Sequence, residues 1–223
     1  MTEKPQYDRR YRSIDHLLLR LHERLSSLAA TPGASAPSEQ RQMPGAELEQ
    51  TQLGDDDRKH AAGLMRVNHA GEVAAQALYQ GQALVARKPA LRRHLLQAAA
   101  EERSHLQWCE QRLRELEYRP SKLDPMWYAG SFAIGVGAGL AGDRWSLGFV
   151  AETEKQVAEH LEDYIERLPQ ADARSRAVLQ RMCEDERRHG RRATELGGAE
   201  LPRPVRSLMR HAAQLMKRTA YRI

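Results

Sequence analysis

Two short clusters of acid and imidazole stand in this chain, each preceded at almost the same distance by a lone glutamate. The first is Glu72 followed by Glu101-Glu102-Arg103-Ser104-His105; the second is Glu154 followed by Asp185-Glu186-Arg187-Arg188-His189. Glu72 precedes Glu102 by 30 residues and Glu154 precedes Glu186 by 32, about the length of one helix, a turn and half the next helix. On an α-helix, residues three apart differ by about 60° in azimuth and about 4.5 Å along the axis. Glu102 and His105 can therefore reach one point from the same face, as can Glu186 and His189. Four carboxylates and two imidazoles from four helices make the donor set of a dinuclear metal centre inside a bundle. Hard oxygens with a few imidazoles suit iron or manganese better than a thiolate-preferring metal. Uncompensated burial of the four carboxylates would cost several kcal/mol per ion, and two divalent cations balance their charge. The chemistry indicated is that of an oxygen-using metalloenzyme.

The register of the clusters leaves one choice open. Glu101 and Asp185 stand four residues before their histidines and could also face inward, but the better reading puts them outside the centre, where they orient its imidazoles through hydrogen bonds. His69, three residues before Glu72, and His160, six after Glu154, are candidates for positions just outside the donors. His16, His22, His60, His94 and His211 read as surface or packing residues. Cys109 and Cys183 cannot form a disulfide framework and read as small buried thiols rather than a redox pair. A single E-x-x-H on a solvated helix face would mean little; the paired occurrence is what points to a metal.

The elements that must deliver these groups are helices. Residues 11–30 carry Ile14, Leu17, Leu18, Leu21, Leu25 and Leu28 at helical spacing. Residues 31–57, with Pro32, Gly33, Pro37, Pro44, Gly45 and Gly54, read as a linker or loosely packed arm. Asp55-Asp56-Asp57 suit a helix N-terminus, and the first long helix is expected to run to about Arg87. Pro89 opens a second, which reaches about Tyr118. A third spans roughly 145–168, and a fourth 171–196, before Gly197-Gly198. The predicted class is all-α: a ferritin-like four-helix bundle over residues 55–223, with extra N- and C-terminal helices. Residues 1–54 form a separate N-terminal helix and linker in this division.

Two segments fall outside a plain bundle. Residues 126–142 contain no charge and are rich in Gly and Ala, yet are slightly short for a spanning helix. Gly137-x-Gly139-x-x-Gly142 formally matches a dinucleotide fingerprint, but no βαβ unit surrounds it; Gly135-x-x-x-Gly139 fits close helix packing instead. Two readings remain: a crossover helix packed inside the protein, or an apolar segment that meets lipid or admits a greasy substrate. After Glu200 the chain has no acid, while Val205, Leu208, Met209, Ala212, Leu215 and Met216 follow one helix face among Arg203, Arg206, Arg210, Lys217, Arg218 and Arg222. Such a basic amphipathic helix suits an anionic bilayer surface, or docks on the bundle with its basic face in water.

Composition limits the alternatives. The apolar fraction of 41% supports a packed core, and aromatics at 5% suit helices better than sheets. A net charge of +5 is compatible with an anionic surface, but no aromatic-basic interleaving supports nucleic-acid binding. The first twelve residues lack the apolar core of a secretory signal.

Met65-Arg66-Val67-Asn68-His69-Ala70-Gly71-Glu72, then Glu102-Arg103-Ser104-His105, Glu154 with His160, and Asp185-Glu186-Arg187-Arg188-His189, together resemble the demethoxyubiquinone hydroxylase family of ubiquinone biosynthesis. The likeness runs over about residues 55–223 and includes the Gly-rich apolar connection in its proper order. It implies a ferritin-like di-iron monooxygenase with two iron ions per chain, attached peripherally to the cytoplasmic face of the inner membrane. It would hydroxylate the ring of a polyprenylated demethoxy-benzoquinol with O2. Carried over by position, Glu72 and His105 would bind one iron, Glu154 and His189 the other, and Glu102 and Glu186 both. The electrons would come from outside, from a reduced pyridine nucleotide or a reductase, and other ubiquinone-biosynthesis proteins are expected partners. A ferritin-like ferroxidase or peroxidase would share the site without the substrate, and a non-catalytic membrane adaptor would leave these acids solvated.

Overall fold

The computed structural model describes residues 41–223, and the helix expected over 11–30 lies outside them. Six helices follow in order: α1 Asp55–Val85, α2 Pro89–Glu115, α3 Asp124–Leu140, α4 Asp143–Arg167, α5 Ala173–Glu195 and α6 Arg203–Ala220. No strand occurs among the described residues. The termini obey local chemistry: three aspartates fill the first turn of α1, Pro89 stands at the start of α2, and the Asp172 carboxylate accepts the Ser175 N–H at 3.0 Å to cap α5.

Antiparallel pairs α1–α2 and α4–α5 pack closely, and the site lies between the two pairs. The pairing α2–α5 is antiparallel too, since His105 meets Asp185 while His189 meets Glu101. Consequently α2 and α4 run the same way, and the chain must return along the bundle between them. Helix α3 makes that return, lying parallel to α1. The contact has no room for side chains: a Cβ on Gly135 would run into the Leu78 backbone, and one on Gly81 into that of Phe132 and Val136. The uncharged segment is thus a crossover helix, as its Gly135-x-x-x-Gly139 spacing suggests. It turns into α4 through Gly142, at φ 111°, a conformation that favours glycine. Asp143 then accepts the Arg87 and Lys88 backbone N–H groups at 3.0 and 3.1 Å, tying the α1–α2 turn to the start of α4.

Two apolar clusters fill the bundle. One gathers Leu64, Met65, Trp108, Leu113, Leu161, Leu179 and Met182; the other gathers Tyr79, Leu91, Leu95, Leu147 and Val150. On every bundle helix the residues of the repeated motif fall between these clusters. Each fully buried large side chain contributes about 1.5–3 kcal/mol, so two greasy ends clamp a polar middle.

Residues 41–54, read from their prolines and glycines as part of a loose arm, are seated on the bundle. Met43 is buried, the Trp108 indole donates to the Arg41 carbonyl at 2.9 Å, and Arg174 donates to the Leu48 carbonyl. Turn-forming residues break a helix without loosening the chain when such anchors exist. Helix α6 docks through Ala220, with the Tyr221 ring against Gly63, and its Met209 and Met216 are half-buried. Val205, Leu208 and Leu215 of the same helix remain exposed.

Candidate metal centre

All six motif residues converge. Glu72 comes from α1, Glu102 and His105 from α2, Glu154 from α4, and Glu186 and His189 from α5, every one buried. Their donor atoms form two sets, each within 4.8 Å: Glu72, Glu102, His105 and Glu186, and Glu102, Glu154, Glu186 and His189. Two members are shared, and the individual atoms show how. Glu102 directs Oε2 to His105 Nδ1 at 2.8 Å and Oε1 to His189 Nδ1 at 3.1 Å. Glu186 directs Oε1 to His105 Nδ1 at 3.1 Å and Oε2 to His189 Nδ1 at 3.7 Å. Each shared carboxylate therefore offers one oxygen to either side, which is what a bridging ligand does.

The outer nitrogens settle the register. His105 Nε2 lies 3.2 Å from Asp185 Oδ2, and His189 Nε2 lies 2.8 Å from Glu101 Oε2. Glu101 and Asp185 face away from the donor sets, and each orients the imidazole of the opposite cluster. A carboxylate accepting Nε2–H leaves the Nδ1 lone pair directed inward, the tautomer a metal needs. Asp185, wholly buried, is held by Arg41 at 2.9 Å, Arg181 at 3.1 Å and Arg188 at 2.6 Å.

Electrostatics make the middle of the bundle costly without cations. Burial, with the charges of Glu102 and Glu186, outweighs the nearby His105 imidazole and leaves the Glu72 carboxyl well above its ordinary value. Burial and the Glu186 charge do the same to Glu154. Burial opposes ionisation of Glu186 as well, yet hydrogen bonds from Glu154 and both imidazoles hold it well below. The imidazole of His105 is raised: burial works against its charge, but Glu102 and the surrounding hydrogen bonds outweigh it. His189 is raised in the same manner, chiefly through Glu101 and Glu102. Protons thus perform the charge compensation that cations would. Glu72 Oε2, both oxygens of Glu102, Glu186 Oε1 and both Nδ1 atoms are buried and crowd one another at 2.8–3.7 Å without a well-aligned hydrogen bond. Inward-facing, crowded hard donors of this kind fit two divalent cations of the iron or manganese type. Acids merely solvated on a helix face are excluded by their burial.

Other candidates fall elsewhere. His69 Nδ1 stands 3.1 Å from Asp124 Oδ2, at the contact of α1 with the start of α3. His160 bonds the Gln156 carbonyl, packs on Tyr164 and is lowered to about 4 by burial and Lys217. Cys109 packs against Met182, and Cys183 against the Ala158 carbonyl; both are packing thiols. One participant escaped the sequence reading: Tyr79 donates to Glu154. It stands seven residues after Glu72, two turns along the same face, and that spacing was the available signal.

Comparison with known proteins agrees with the geometry. The chain is 60% identical over 173 residues to a 3-demethoxyubiquinol 3-hydroxylase of Ralstonia pickettii, covering 78% of this chain and 80% of that one. It is 54% identical over 211 residues to one of Cupriavidus necator, covering 94% and 100%. It is 51% identical over 222 residues to one of Xanthomonas campestris pv. campestris, with both chains covered in full. The family model for ubiquinone biosynthesis protein COQ7 matches residues 59–220, a span holding every converging donor, and the chain belongs to that family.

Proposed function

We propose that the protein is an iron-dependent 3-demethoxyubiquinol 3-hydroxylase, which places one oxygen atom from O2 on the ring of a polyprenylated demethoxy-benzoquinol in ubiquinone biosynthesis. The observation that carries this is the pair of buried donor sets sharing Glu102 and Glu186. Glu72 and His105 would hold one iron and Glu154 and His189 the other, with Glu102 and Glu186 available to both. Bound there, the iron pair supplies O2 activation and the redox chemistry of hydroxylation.

The chain's own residues orient and enclose. Asp185 and Glu101 fix the imidazoles, and Tyr79 positions Glu154 through its hydroxyl. The two apolar clusters exclude water from the reacting groups. A small cavity of about 10 Å³ reaches Glu154 between α1 and α4, lined by Leu78, Tyr79, Gln82, Phe149, Val150 and Thr153 among others. Gln82 Oε1 and Thr153 Oγ1 are buried there without partners. At that size the cavity holds no more than a water molecule, so the quinol head reaches the centre here only if α1 and α4 part, where these two uncommitted polar atoms would meet its hydroxyl groups.

The substrate's tail stays in the bilayer, and the enzyme meets it peripherally at the cytoplasmic face of the inner membrane. Among the described residues no helix is long and apolar enough to cross a membrane. Support for surface attachment comes from Met126, Ile134 and Leu140 on α3, Trp145 just beyond it, and Leu208 and Leu215 on α6, all exposed. The two electrons per turnover come from an external donor, a reduced pyridine nucleotide or a reductase. Lipid extracts of a strain lacking the protein test the assignment. Demethoxyubiquinone should accumulate and disappear on return of the intact chain, but not of Glu154→Ala. Purified reconstituted protein should carry two irons per chain; a strain with unchanged quinones would overturn the reading.

A further inference from the structure

On the α2–α5 side of the bundle, opposite the cavity, an open groove of about 420 Å³ is lined by Arg41, Arg181, Arg188, Arg192, His94 and Gln97, with Glu101 and His189 at its inner wall. Its charge is unbalanced. Arg41, Arg181 and Arg188 all converge on the one carboxylate of Asp185 beneath them. Arg188 also reaches Glu101 at 3.9 Å, and Glu101 is already engaged by His189. Glu184 touches Arg181 at 3.7 Å but from the solvent side, with most of its side chain exposed. Among the described residues no carboxylate is paired with Arg192. Four guanidinium groups therefore face two carboxylates inside the groove. His94 is held below its ordinary value, first by burial and then by the Arg192 charge, so its neutral ring can donate or accept a hydrogen bond.

We infer that this groove binds a phosphorylated small molecule, whose dianionic phosphate lies on Arg192 with Arg181 and Arg188 beside it. Guanidinium forks match phosphate oxygens in pairs and keep their charge at every physiological pH. The volume falls within the roughly 300–1,000 Å³ of small-molecule sites, and the concave shape suits a compact ligand better than a flat protein surface. Because Arg188 joins the groove to Asp185 and Glu101, an occupant sits one hydrogen bond from the groups that orient both imidazoles.

Calorimetric titration of iron-loaded protein with ribose 5-phosphate tests the site, beside a second arm using vesicles that contain phosphatidic acid. Arg192→Gln should weaken ribose 5-phosphate binding by about tenfold or more, the size expected for one charge-assisted hydrogen bond, while Arg192→Lys keeps most of it. Arg203→Gln on α6, equally cationic but outside the groove, should leave ribose 5-phosphate binding unchanged. Dependence on Arg192 in the vesicle arm alone would make the phosphate a lipid headgroup and overturn the soluble source. Equal binding by wild type and Arg192→Gln, or equal weakening by Arg203→Gln, would sink the site.

Discussion

Asp185 carries more of the centre than a second acid beside a glutamate would suggest. It accepts from His105 and draws three guanidinium groups together, so burial opposes its charge but the hydrogen bonds from His105 and Arg188 hold the carboxyl well below its ordinary value. Asp185→Asn keeps the shape and removes the charge that fixes the His105 tautomer. Losing such an outer partner lowers metal affinity by about 10–100-fold, so iron content should fall from two towards one per chain, measured by chelator assay after dialysis. Two retained irons would show that Asp185 serves packing alone. At the cavity, Thr153→Val is nearly isosteric and deletes a hydroxyl that no protein group uses. A net hydrogen bond of about 0.5–1.5 kcal/mol corresponds to a fall of about two- to tenfold in kcat/KM for the quinol, with iron content unchanged.

Helices α3 and α6 are where element-scale packing decides. Gly135 meets the Leu78 backbone with no space for a methyl group, and backbone yields less readily than a side chain. Gly135→Ala should lift α3 from α1 at a cost of about 1–3 kcal/mol, the usual scale of overpacking, read as a lower Tm in a thermal melt. An unchanged Tm would mean that α3 slides freely along α1. Helix α6 divides its apolar face between two tasks: Ala220 docks, with Met209 and Met216 half-buried, while Leu208 at 70% and Leu215 at 59% exposure do not dock. Replacing both exposed leucines by Glu should preserve the melt and abolish co-flotation with anionic vesicles. Persistent flotation would transfer the attachment to α3.

At the scale of the whole molecule, stability and charge are coupled through the polar middle. Without metal, the folded protein keeps protons that the unfolded chain releases, from Glu72 and Glu154 above the ordinary carboxyl value of 4.5 and from His105 and His189 above 6.5. Raised folded-state values contribute stability that is complete at low pH and drains away as pH rises. The lowered carboxyls, Glu186 and Asp185, act in the opposite sense but have made their contribution by about pH 5, and the lowered imidazoles of His160 and His94 have made theirs by about pH 6.5. The Tm of metal-free protein should therefore fall from about pH 6.5 to pH 8, and iron loading should flatten that slope, as scanning calorimetry would record. A metal-free Tm that climbs across the same range would contradict the account. The molecule is also two-sided, with the cavity between α1 and α4 and the arginine groove on the other pair of helices.

The types and spacing of the six converging side chains and the four bundle helices were legible in the linear chain, whereas the glycine-rich segment left a crossover helix and a lipid- or substrate-facing segment equally open until its contact with α1 was seen. Helical periodicity places residues three apart on one face, and small residues at intervals of four mark close approach, wherever the helix is put. Three things depended on how separate helices meet. Whether Glu101 and Asp185 turn inward, which cluster's imidazole each one orients, and the seating of residues 41–54 are relations between segments distant in sequence. Local spacing carries no information about such relations. Only the rotation of α2 against α5 brings Glu101 to His189 and Asp185 to His105, and that rotation is set by packing across the whole bundle.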